Sequence, residues 1–195
     1  MTTTYLGSEA GNARIAVSEL SAIPTGILSL PLTGVGALLA QSANFQTWLG
    51  INTDPQAPAL AQNAIHYIAP DASGTYPDAV TSAMKWPFAI LNLGRSTRNL
   101  RGSGLSPLFS PKGEIGIYFE AKTAPTDKNR TANPAISFLN AIGGIITDLE
   151  SASQGDGGIQ ILSLDIEEPE RKEHSCLGKP GDFYTITIRC DVGFR

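Results

Sequence analysis

Asn133–Glu150 reads NPAISFLNAIGGIITDLE, the clearest amphipathic helix in the chain and the stretch on which the expected architecture turns. Asn133 before Pro134 is a helix-start signal, a side-chain cap followed by a residue whose φ is preset for the first turn. Phe138, Leu139, Ile142, Ile145, Ile146 and Leu149 then recur at three- and four-residue spacing, so one face of this helix needs a core to cover. The turn Gln154-Gly155-Asp156-Gly157-Gly158 separates it from a predicted strand, Ile159–Ile166. Farther on, Phe183–Phe194 alternates, with Tyr184, Ile186, Ile188, Cys190 and Val192 on one face and Thr185, Thr187, Arg189 and Asp191 on the other. Such a strand belongs to an antiparallel sheet buried on one side and wet on the other. The helix is expected to lie on the apolar side, Phe138, Ile142, Ile145 and Leu149 against Tyr184, Ile186, Ile188 and Cys190.

Upstream, a helix is predicted from Pro31 with Val35, Leu38, Leu39 and Phe45 as its apolar side, divided near Asn44 and ended by Gly50. The short second piece, Phe45–Leu49, brings Trp48 and Leu49 to the core. Residues 51–64 carry two prolines and several alanines and add a helical turn. Ile65–Ala69 reads as a short strand stopped by Pro70, and Trp86–Leu93 as a longer one, with Pro87 favouring an edge position. Gly113–Thr123 is the next strand, in which Ile115, Ile117 and Phe119 alternate with Gly116, Tyr118 and Glu120. The intervening Gly94–Lys112 exceeds what a tight hairpin needs and is expected to project as a loop.

The 195 residues fit one domain with appendages. Hydrophobic residues make up 42% and charged residues only 16%, which excludes global disorder of the charge-rich kind. The 20 glycines and 13 prolines disfavour a mostly helical bundle. A net charge of −4 argues against a protein that lives by neutralising phosphates. The apolar run Ile23–Ala40 contains Pro24, Pro31, Gly26, Gly34 and Gly36 and lacks a flanking basic cluster, so no membrane span is expected. No signal peptide is read at the N-terminus. Two cysteines, Cys176 and Cys190, are too few for a disulfide scaffold, and whether they pair is open.

Only His66 and His174 could serve a Ser-His-Asp or Cys-His mechanism. His66 falls inside a predicted strand, and His174 with Cys176 makes a lone H-x-C where metal sites need three or four ligands. The acidic series Asp165, Glu167, Glu168, Glu170 and Glu173, interrupted by Arg171 and Lys172, reads as a solvated charged loop rather than a cation site. Gly34-Val35-Gly36 lacks the third glycine and the preceding strand of a dinucleotide fingerprint, and Asn129-Arg130-Thr131 is a chance-level glycosylation pattern. No catalytic, cofactor-binding or metal-ligating residues are therefore assigned. Arg95, Arg98 and Arg101, spaced by three in the long loop, are candidates for contact with an acidic partner surface or with passing nucleic acid.

The order of elements resembles the tail terminator, or tail-completion, proteins of long-tailed bacteriophages. The features that carry this are Phe45-Gln46-Thr47-Trp48-Leu49-Gly50, Trp86-Pro87-Phe88-Ala89-Ile90, Gly116-Ile117-Tyr118-Phe119-Glu120, the helix Phe138–Ile146, Gly157-Gly158-Ile159-Gln160-Ile161 and Tyr184-Thr185-Ile186-Thr187-Ile188. The resemblance implies an α+β fold, a mainly antiparallel sheet with helices on one face, over residues 31–195; residues 1–30 depart from the family pattern and are read as an N-terminal arm or extension. It implies a ring, usually hexameric, that caps the tail tube and meets the head-side connector in the virion neck after assembly in the host cytoplasm. It implies no enzymatic activity and no cofactor, and leaves transient contact with DNA in the lumen open. A head-closure or adaptor protein is the neighbouring reading, and a small hydrolase or metal-dependent enzyme the distant one. Within the helix, Ser137, Asn140 and Gly144 lie opposite the apolar stripe. Interior glycines cost about 1 kcal/mol each relative to Ala, so Gly143 and Gly144 signal a closely approaching backbone, expected to be a neighbouring subunit's.

Overall fold

The computed structural model describes residues 30–67, 85–97, 112–123, 134–153 and 159–194. In chain order these form helices α1 (Leu30–Gln41), α2 (Ala43–Trp48) and α3 (Ala57–Gln62), then strands β1 (Ile65–His66), β2 (Phe88–Thr97) and β3 (Lys112–Lys122). Helix α4 (Pro134–Ser153) and strands β4 (Ile159–Ile166), β5 (Glu170–His174) and β6 (Pro180–Phe194) follow. The strands make one sheet in the order β1-β2-β3-β6-β4, with β5 also paired to β6. Among the described residues β1 and β2 run parallel and every other pairing is antiparallel. The fold is α+β. The arm, the Asn133 cap, Arg98, Arg101 and the turn at 154–158 lie outside the described residues.

The helices share one face of the sheet. Leu32, Val35 and Leu39 of α1, Phe45 of α2 and Phe138, Ile142, Ile145 and Leu149 of α4 pack on inward residues of β2, β3 and β6, including Ile117, Phe119, Ile186 and Ile188. Phe138 stacks on Tyr184 with ring centroids 5.9 Å apart, so the expected α4–β6 packing is present. Leu139 departs from its predicted place in the stripe, since it is 42% exposed.

Several expectations change for local reasons. The α1–α2 break falls at Ser42 rather than Asn44, because the Ser42 hydroxyl accepts a hydrogen bond from the Phe45 amide and caps the second helix. Strand β2 is not at an edge beside Pro87: β1 pairs with Ala89 and Ile90, and Pro87 precedes the ladder, where a missing N–H costs nothing. The strand also runs past Leu93 through an irregularity to Thr97, so Arg95 is in β2 and not in a loop. The charged segment 170–174 is likewise a strand. Its side chains are exposed, but its backbone extends the β4 ladder along β6.

The outer face of β6 is only partly wet. Phe183 and Thr185 are buried there, because Phe88, Ile90 and Leu177, with Trp86, Tyr118 and Cys176 against them, build a second, smaller core on the side away from the helices. Alternation alone shows which residues share a face and says nothing of what lands on it.

Of the two glycines in α4, Gly144 is explained within the chain and Gly143 is not. A Cβ at Gly144 would stand 2.7 Å from Asn44 Cγ, whereas at Gly143 nothing lies within 4 Å. Asn44 is held in that place, its Nδ2 donating to the Gly144 carbonyl at 3.2 Å and to Asp148 Oδ1 at 2.9 Å. Asp148 Oδ2 also accepts from the Ser42 hydroxyl at 2.7 Å and the Asn44 amide at 2.9 Å, fastening the start of α2 to α4. Burial acts to raise the Asp148 pKa, but these donors prevail and hold it below the ordinary carboxylate value. Gly143→Ala should therefore stabilise the fold by up to about 1 kcal/mol, and Gly144→Ala should destabilise it by about 1 to 2 kcal/mol, as seen by thermal unfolding. Equal shifts for the two variants would contradict this packing.

Candidate functional site

Two apolar surfaces occupy opposite edges of the sheet. The first is a pocket of about 340 Å³ beside β1, walled by Leu49, Ile51, Leu60, Ala64, Trp86 and Pro87, with Asn63, His66 and Lys85 supplying its polar rim. Its position follows from local sequence. Helix α3 opens with Pro58 in its first turn, buries Ala57 and Ala61, and is capped at Asn63, so the chain drops at once into β1. Leu60 is left on the opposite, exposed side. Gln62 Nε2 donates to the Tyr67 hydroxyl at 2.7 Å, and that hydroxyl fills the place a Cβ on Gly36 would take. The role of Gly36 in the Gly34-Val35-Gly36 stretch is thus close helix packing. Burial raises the Tyr67 pKa against the lowering effect of Gln62.

Trp86 forms the far wall of the pocket and is fixed by a buried carboxylate. Glu120, fully buried, accepts hydrogen bonds from Trp86 Nε1 at 2.7 Å, the Tyr118 hydroxyl at 2.7 Å and the Cys176 amide at 2.8 Å. Three elements therefore meet at one side chain: the segment leading into β2, strand β3, and the tip of the β5–β6 hairpin. Phe183 lies 5.2 Å from the Trp86 ring, and the ammonium groups of Lys122 and Lys179 stand 5.8 and 5.2 Å from its centroid. Burial, reinforced by the Glu120 charge, pushes the Tyr118 hydroxyl and the Cys176 thiol far above their usual ranges. Burial likewise pushes Cys190 up to about 12. Both thiols are free, Cys190 in the main core and Cys176 in the second core across the sheet, and neither has the lowered pKa of a nucleophile.

The second surface lies at the β4 edge. Ile166 is 49% exposed there, on the face of the sheet that carries Ile188 and the helices, and Leu162, 47% exposed, lies on the other face. A bulge between Ile161 and Ser163 turns Leu162 outward over Gly193. Neighbouring charges are mostly spoken for: Arg189 pairs with Glu167, Arg171 with Asp182, and Lys172 with Glu170. Asp165, on the face of β4 opposite Ile166, and Glu168, two residues beyond Ile166, are exposed and make no ion pair among the described residues, and the same holds for exposed Lys85 at the pocket.

The candidates from sequence are dispersed over the molecule. Ser137 and Asn140 are exposed on α4, Gly144 faces Asn44, and Arg95 lies in β2. His66 is buried in β1 with its ring 6.0 Å from Phe88, while exposed His174 ends β5, so the topology places β2, β3 and β6 between them. Among the described residues, no Asp or Glu lines the pocket that holds His66, and no group of three or more His, Cys, Asp and Glu converges. Among those residues, too, no helix is long and apolar enough to cross a membrane. Sequence reasoning missed Glu120, naming it only among the residues that alternate with Ile115, Ile117 and Phe119, although a carboxylate inside so apolar a strand and two residues from Tyr118 was the available signal. It missed both edges because strand order decides them. Compared with known proteins, the chain matches no family model and no curated relative.

Proposed function

We propose that this chain is a structural virion subunit of the tail-terminator kind, forming a ring that caps the tail tube and joins it to the head-side connector in the neck. The observation that carries this reading is the pair of different apolar surfaces at opposite edges of one sheet. A closed ring requires such a pair, because a head-to-tail contact joins two unlike patches and closes by rotation. Four inter-strand spacings of about 4.8 Å put the two edges roughly 19 Å apart, so the patches serve different neighbours. The α+β fold is the class the resemblance implies.

The test is imaging of the purified protein by negative-stain microscopy, alone and with tail tubes. Rings of uniform size seated at tube ends are the expected result. A protein that stays monomeric by light scattering at high concentration and leaves tube ends bare would overturn the reading, and a ring that binds the head-side connector but not tubes would reassign it to head closure.

A further inference from the structure

We propose that the two edges meet: Ile166 of one subunit seats in the Leu49–Leu60–Trp86 pocket of the next copy, with Glu168 facing the neighbour's Lys85. The proposal rests on the ring reading and names the contact that would build the ring. Ile166 closes β4, which among the described residues pairs with β6 alone, and the residue is 49% exposed. A pocket of about 340 Å³ has ample room for one branched aliphatic side chain, and its walls are apolar. The charges match as well, since the exposed carboxylate of Glu168 lies two residues beyond Ile166 and one exposed ammonium rims the pocket, neither of them paired among the described residues. A second copy is the occupant this complementarity selects, because the chain carries both halves.

The Trp86 wall is pre-organised for such a role. Its indole N–H is bound to Glu120 and its ring is braced by Phe183, so the pocket keeps its shape before a partner arrives. The two sides can be disabled separately. Ile166→Asp removes the knob and keeps the pocket, and Asn63→Trp, at an exposed position, fills the pocket and keeps the knob.

Each variant should run as a monomer by size exclusion with light scattering, at concentrations where the unaltered chain forms rings, and should keep its circular dichroism spectrum. Mixed in equal amounts, they should form a species of twice the monomer mass and nothing larger, because one productive contact remains per pair. As a second route that leaves the core alone, Lys85→Glu should weaken ring formation at least tenfold, and Glu168→Lys in the same chain should restore it. Normal rings from either single variant would overturn this contact and leave the ring reading standing, as would a mixture that stays monomeric. An unaltered chain that forms no ring, alone or on tubes, would overturn both together.

Discussion

Glu120→Ala should lower the stability of the fold by about 3 to 5 kcal/mol, because three hydrogen-bond donors lose their acceptor together. Trp86 Nε1, the Tyr118 hydroxyl and the Cys176 amide converge on this carboxylate, and each would be left part-buried without an acceptor at roughly 1 to 3 kcal/mol apiece. Against a typical total of about 5 to 15 kcal/mol, the loss is a large part of the margin. Urea unfolding would show it as a lower midpoint with an unchanged slope. Glu120→Gln keeps the shape and one acceptor oxygen, so its loss should be smaller. A change below about 0.5 kcal/mol in Glu120→Ala, the range of ordinary surface substitutions, would mean that these donors find other partners and that Trp86 does not depend on Glu120 for its place.

Ile142→Ala should cost about 2 to 5 kcal/mol, the range for emptying a branched aliphatic from a packed core. Ile142 is 2% exposed and belongs to the cluster that joins α4 to β3 and β6. For a domain of this size each kcal/mol moves the melting temperature by about 2 to 4 °C, so a fall of roughly 5 to 15 °C is expected by calorimetry. An unchanged melting temperature would contradict the packing of α4 on the sheet. Ile142 and Glu120 report on different cores, on opposite faces of the sheet, and the double variant should lose close to the sum of the two.

Periodicity exposed the long elements. The spacing of Phe138, Ile142, Ile145 and Leu149 announced α4 and its buried face, and the alternation in Ile186, Ile188 and Cys190 announced β6, because each pattern is produced by the geometry of its own segment. Strand β4 was legible with its bounds, Ile159 to Ile166, since glycines precede it and the charged run Glu167-Glu168-Pro169 follows. Where local signals competed, the reading slipped by a residue or two: Ser42 and Asn44 are both good caps, and only the reach of Asp148 from another helix, together with the Phe45 amide, selected Ser42.

The candidate surfaces were of the other kind. Leu139 and Ile166 have the same apolar character as Ile142 and Ile188, yet the first two are exposed and the second two are covered. The difference lies in which strand ends the sheet and which flank of α4 meets another element, and neither is written in the residue or its neighbours in sequence. Glu120 makes the same point: its carboxylate is acceptable inside because Trp86, Tyr118 and Cys176, separated from it by as many as 56 positions, bring their donors to it. Gly144 is small because Asn44, 100 positions away, needs its space. The sequence by itself determined the elements, their apolar faces and the α+β class, since these arise from interactions a few residues long. The tertiary structure alone decided the second core, the buried carboxylate and the two unlike edges, because these depend on the order in which strands pair and on contacts between distant segments.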